Sequence, residues 1–91
     1  MNSILNDTIP VTITSPILKK GKNDVRTFDA SLNVEEGIRI YVLIETKRDV
    51  ERKRFNLIPG SIIADSSGSY VCKKVQFLTT FKRILPVVFA S

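Results

Sequence analysis

The chain is 91 residues long and 43% hydrophobic, with fourteen Lys and Arg against nine Asp and Glu, a net charge of +5 and no histidine. That length supports one core and no second domain, and the apolar content lies above that of disordered chains. One cysteine and no histidine exclude an internal disulfide, a zinc site of the usual kind and a histidine general base.

The N-terminal "MNSILNDTIP" lacks the basic start and apolar run of a secretory signal. The longest uncharged apolar stretch, "ILPVVFAS" at the C-terminus, is far short of the roughly 20 residues that cross a bilayer. The expectation is a soluble, cytoplasmic protein (host cytoplasm if viral) with no membrane partner and with residues 1–9 as a flexible lead-in.

"PVTITSPIL" sets Val11, Ile13 and Ile17 against Thr12 and Thr14, and "VRTFDASLNV" sets Phe28, Ala30, Leu32 and Val34 against Thr27, Asp29, Ser31 and Asn33. Both alternations predict half-buried strands, and "KKGKND" and "NVEEG" carry the Gly, Asn and acidic residues of tight connections. The strongest strand is "GIRIYVLIET". Its β-branched row, Ile38, Ile40, Val42 and Ile44, is assigned to the core, which turns Tyr41 outward.

Next comes "KRDVERKRF", with five cations and two anions in residues 47–54 and Val50 the one apolar residue between Glu45 and Arg54. With no apolar stripe to dock, residues 46–55 are expected to form an extended basic loop, one exposed helical turn being the alternative. In "FNLIPGSIIA", Pro59-Gly60 suits a type II turn. "YVCKKVQFLTTF" reads as a strand with Cys72 as a structural thiol, and "ILPVVFA" as a final edge strand that tolerates Pro86. Phe28, Phe77, Phe81 and Phe89 are expected in the core. Five or six short strands joined by turns predict a single all-β domain over 1–91, a small barrel of OB-like type, with an SH3-like barrel or a small sandwich as rivals.

No residue pattern carries catalysis. Glu35 and Glu36 are adjacent and so point to opposite faces of a strand, and the glycines form no phosphate cradle. The expectation is a non-enzyme without cofactor or metal. The charge, in contrast, is grouped: residues 19–26 and 47–54 each carry +3 and residues 73–83 carry +4, leaving −5 for the rest. Such grouping fits a polyanion. Lys19, Lys20, Lys22, Arg26, Arg48, Arg52, Lys53, Arg54 and Lys73 are the candidate phosphate contacts, and Tyr41, Phe55 and Tyr70, each beside a cation, are the candidate stacking rings.

Gly21-Lys22, the strand "IYVLIE", Pro59-Gly60 and the closing "KRILP" together resemble, over about residues 10–87, the small single-stranded-DNA-binding proteins of filamentous phages. The sequence departs from that family in its longer, more charged "KRDVERKR". The resemblance implies a five-stranded OB-like barrel that dimerises and binds single strands cooperatively, with little sequence preference. The first functional expectation is therefore a homodimeric binder of single-stranded nucleic acid, DNA preferred. The second is a structural or protein-interaction module of a virus or mobile element, which self-assembles through edge strands or docks an acidic partner protein.

Overall fold

Alternating side chains and glycine-bearing turns shape residues 8–91, the part described by the computed structural model, into six strands and one short helix. In chain order these are β1 (Thr8–Lys19), β2 (Lys22–Glu35), β3 (Ile38–Leu43), α1 (Lys47–Arg52), β4 (Ile62–Asp65), β5 (Gly68–Thr79) and β6 (Ile84–Ala90). Every pairing is antiparallel, and the order β1-β2-β3-β6-β5-β4 closes when β4 returns to β1 through Thr12↔Ala64, Ile13↔Ile63 and Thr14↔Ile62. Closure decides against a sandwich: this is a small, OB-like, six-stranded barrel. Thr8 and Ile9 already pair with Ser31 and Ala30, so the lead-in is shorter than expected; its residues 1–7 lie outside the described residues.

Two hairpins turn on Lys20-Gly21 (φ 52° and 76°) and Glu36-Gly37 (φ 51° and 81°), the left-handed pair that a two-residue type I′ connection requires. At Pro59-Gly60 the glycine sits at φ +95°, and the Ser61 amide donates to the Ile58 carbonyl at 3.1 Å. That is the expected tight turn.

The interior holds Val11 and Ile13 of β1, Phe28 and Ala30 of β2, Tyr41 and Leu43 of β3, Ile63, Cys72, Val88 and Ala90. The β1 and β2 faces follow the expected parity, in β1 through Val11, Ile13 and the buried Ser15, until a register irregularity between Thr14 and Leu18, where Ile17 is exposed. Burial pushes the Cys72 thiol above its ordinary value, in keeping with a structural role.

Strand β3 is inverted relative to expectation. Tyr41 and Leu43 are fully buried while Ile38 is 46% exposed, so the β-branched row faces out and the row with the tyrosine faces in. The physical reason lies in the neighbours. Ala30 lies across from Leu43, and Ala90 sits two positions from Val88, the partner of Tyr41, on the same face. These small residues leave room for a ring in a narrow barrel. The hydroxyl of Tyr41 also has partners inside, as a buried phenol requires. It donates to Asp65 Oδ2 at 2.8 Å and accepts from Arg39 Nε at 2.8 Å.

Strand β6 is no edge: it lies between β3 and β5. Pro86 is tolerated because β3 pairing ends at Val42↔Val87, one residue short of it. Phe77 and Phe81, expected in the core, are 50% and 94% exposed.

The expected loop over 46–55 instead contains α1. Thr46 caps its start by accepting from the Asp49 amide at 3.2 Å. Its end is a Schellman motif: Arg54, at φ 56°, donates to the Glu51 carbonyl at 2.9 Å and Phe55 donates to the Val50 carbonyl at 3.4 Å. Val50 and Phe55 are both buried, with the Phe55 ring centroid 5.5 Å from that of Phe28. One apolar side chain on the helix and one just after it suffice to seat six residues over the barrel mouth.

Candidate nucleic-acid interface

In an antiparallel barrel successive connections fall alternately at the two ends. The β1–β2 turn, the α1 connection and the β5–β6 turn therefore share one end, which gathers the basic segments 19–26 and 47–54 with Lys82 and Arg83, whereas Lys73 and Lys74 of the segment 73–83 stay on β5 away from it. Residues 19–26, 45–54 and 80–84 hold eleven of the fourteen Lys and Arg with four acids, against three cations and four acids in the rest of the described chain.

Hydrogen bonds tie the hairpin to the helix. Lys19 Nζ donates to the Arg54 carbonyl and Arg26 Nη2 to the Lys53 carbonyl at 3.3 Å, so two cations meet the negative end of α1. Asp24 organises both: its carboxylate lies 3.1 Å from Lys19 Nζ and 2.8 Å from Arg26 Nε. The Arg26 hydrogen bond is the main cause that holds the Asp24 carboxyl below its ordinary value, with Lys19 adding to it. At the other end of α1, Lys47, Arg48 and Glu51 line a depression together with Lys82, Arg83 and Ile84 of the β5–β6 turn. The helix thus joins all three basic segments.

Several of these cations are already engaged. Lys19 and Arg26 pair with Asp24, Lys53 with Glu45 at 2.6 Å, and Arg52 loosely with Asp49 at 3.9 Å. Among the described residues, Lys20, Lys22, Lys47, Arg48, Arg54, Lys82 and Arg83 form no ion pair. These are the charges open to an anionic ligand.

The rings at this end are not the expected ones. Tyr41 is interior, Phe55 is 6% exposed beneath α1, and Tyr70 belongs to the opposite end of the barrel. Lys73 also lies away from the basic end, at the irregularity between Cys72 and Lys74. The remaining phosphate candidates, Lys19, Lys20, Lys22, Arg26, Arg48, Arg52, Lys53 and Arg54, are brought together. Sequence reasoning misses Lys47, Lys82, Arg83, Phe77 and Phe81. Phe81 stands at the tip of the β5–β6 turn, which the Thr80 amide closes on the Arg83 carbonyl at 2.8 Å, and Lys82 Nζ lies 5.7 Å from its ring centroid. Phe77 lies under Lys47 Nζ at 5.2 Å and walls an apolar cleft of about 230 Å³ with Val50, Phe55 and Pro86. The readable signal is "FKR", Phe81 to Arg83, where a ring and two cations share a turn.

The opposite end is closed by a polar cluster. Arg39 donates to Asp65 Oδ2 at 2.6 Å and to Ser67 Oγ at 3.0 Å, and its guanidinium stacks 4.2 Å from the Tyr70 ring centroid. Ser67 donates to Asp65 through its amide at 2.7 Å and its hydroxyl at 2.6 Å. For the Asp65 carboxyl, burial pulls upward, but hydrogen bonds from Ser67, Tyr41 and Arg39 outweigh it and hold the group well below the carboxylate range. Burial pushes the Tyr41 phenol up to about 12. The hydrogen bond to Tyr41, then that to Asp65, holds Arg39 above its ordinary value.

The chain matches no protein family, no curated protein and no solved structure. No helix among the described residues is long and apolar enough to cross a membrane, and no cluster of acidic or cysteine side chains among them could hold a metal.

Proposed function

We propose that the chain binds single-stranded nucleic acid, DNA preferred, at the basic end of the barrel and performs no chemistry on it. The observation that carries this reading is the meeting of seven unpaired cations with two exposed phenylalanines around one helix. Arg48, Arg54 and Arg83 hold phosphates bidentately, Lys20, Lys22, Lys47 and Lys82 act as point charges, and Phe81 and Phe77 offer faces to bases. Such a site reads no sequence, because every base has a face to stack. The preference for DNA rests on the resemblance to the phage proteins.

The test is anisotropy of labelled oligo-dT and oligo-U titrated with protein at increasing salt. Affinity falls linearly on a log–log plot, with a slope of about −0.7 for each phosphate neutralised. Phe81→Ala weakens binding by about 1–3 kcal/mol without changing that slope. Micromolar protein that binds neither oligonucleotide at low salt overturns the reading.

For the second reading, a module that assembles through edge strands, the C-terminal strand is already paired on both sides: Val87 to Ala90 lie in β6 between β3 and β5. Docking of an acidic protein on the same cations stays open to the same experiment, with an acidic polypeptide as competitor.

A further inference from the structure

Two hairpin arms outrun the barrel at its basic end. Pairing of β1 with β4 ends at Thr14↔Ile62 and pairing of β3 with β6 at Val42↔Val87, so the β1–β2 and β5–β6 tips project, one beside each end of α1. Both arms expose apolar side chains. Leu18, 58% exposed, and Val25 stand on the first arm, and Phe77, Leu78, Phe81 and Ile84 on the second. Cations flank both tips: Lys19 and Lys20 follow Leu18, and Lys82 and Arg83 follow Phe81. At the opposite end, among the described residues, the exposed large hydrophobics are Val34 and Ile38 alone. Apolar surface and positive charge thus gather at one end of the molecule.

A nucleic-acid strand uses only part of this surface. Bases stack on Phe77 and Phe81, whereas Leu18, Val25, Leu78 and Ile84 have no ring to offer. Exposed apolar side chains rimmed by charge mark contact with a protein or a bilayer. Charge decides against a second copy, because the cations gathered here would meet their like. Leu18 and Phe81 also stand on separate arms with a helix between them, which a fluid interface receives more readily than a rigid partner does.

We infer that the basic end docks on the surface of an anionic lipid bilayer, with Leu18 and Phe81 entering the interface and the surrounding lysines and arginines held at the headgroups. Such a surface supplies both halves of the contact: negative charge that attracts Lys and Arg, and an acyl boundary beneath it for apolar side chains. A protein that lies on a bilayer needs no spanning stretch, so the expectation of no membrane partner, drawn from the lack of one, does not reach this contact. Lipid and strand would compete for the same cations; that competition rests on the function proposed above, whereas the lipid contact does not.

The experiment is cosedimentation of the full chain with vesicles of phosphatidylcholine containing phosphatidylserine, and with vesicles of phosphatidylcholine alone. The chain binds the anionic vesicles at least about tenfold more tightly, and added salt releases it. Leu18→Ser weakens vesicle binding about tenfold, the scale of one buried leucine, and leaves oligo-dT anisotropy unchanged. Phe81→Ala weakens both. A chain that stays in the supernatant, which would leave the tips to a protein partner, overturns the proposal, as does equal binding to neutral vesicles. Wild-type vesicle binding by Leu18→Ser also overturns it, since cations then adsorb without insertion. Vesicle binding without oligonucleotide binding, or the reverse, shows which of the two readings has failed.

Discussion

The Tyr41 hydroxyl gives its proton to Asp65 and takes one from Arg39, and Asp65 keeps only 2% of its side-chain surface exposed. Tyr41→Phe removes one donor from a buried carboxylate and is expected to cost about 1–3 kcal/mol, read by urea unfolding. Asp65→Asn leaves the Arg39 guanidinium facing a neutral amide and costs about 3 kcal/mol or more. The pH dependence follows in sign. Asp65 is depressed in the folded chain, so its contribution is complete above the ordinary carboxylate range and fades as pH falls below about 4. The phenol is raised to about 12, so stability is complete below about pH 10 and declines as pH rises from there towards 12. Tyr41→Phe should remove its share of that alkaline decline, measured as unfolding free energy against pH. Tyr41 is the residue that parity misjudges: alternation shows that two rows exist, but which row faces inward depends on Ala30, Ala90 and the distant Asp65, none of which lies in the strand.

Helix α1 shows how little sequence signal a short element needs. Its one buried residue is Val50, and its stop is Arg54 in a left-handed conformation where glycine is usual. A search for an apolar stripe finds nothing there, because the stabilising contacts are the Thr46 cap, the Schellman hydrogen bonds and Phe55 packed on Phe28. Thr46→Ala should cost about 1 kcal/mol in thermal or urea unfolding. It should also loosen the placement of Lys47 and Arg48, seen as weaker oligonucleotide binding at low salt. The β5–β6 turn behaves in the opposite way. Phe81 contributes almost nothing to the core, so Phe81→Ala should leave stability within about 0.5 kcal/mol of the wild type while binding drops. Five of the six strands and the Pro59-Gly60 turn were legible because each depends on neighbours in sequence, whereas β4, only four residues long, was not singled out. The exposure of Phe77 was not, since a strand that outruns the barrel looks like one that stays within it.

For the whole molecule, the meeting of the basic segments was legible in principle. Once the strands are antiparallel and number six, first, third and fifth connections must share an end, whatever the details of packing. The closure of β4 on β1 was not legible, since three residue pairs carry it and none has a distinctive motif. The resulting polarity predicts steep salt dependence of any polyanion binding, and removal of Lys82 and Arg83 as a pair should flatten the slope by about 1.4. A further consequence concerns light. The chain has no tryptophan, and its two tyrosines, Tyr41 and Tyr70, both lie in the polar cluster around Arg39, across the barrel from Phe77 and Phe81. Intrinsic emission near 300 nm therefore reports on whether the barrel is intact and stays blind to a base resting on Phe81. The molecule carries its own folding gauge, optically insulated from its cargo.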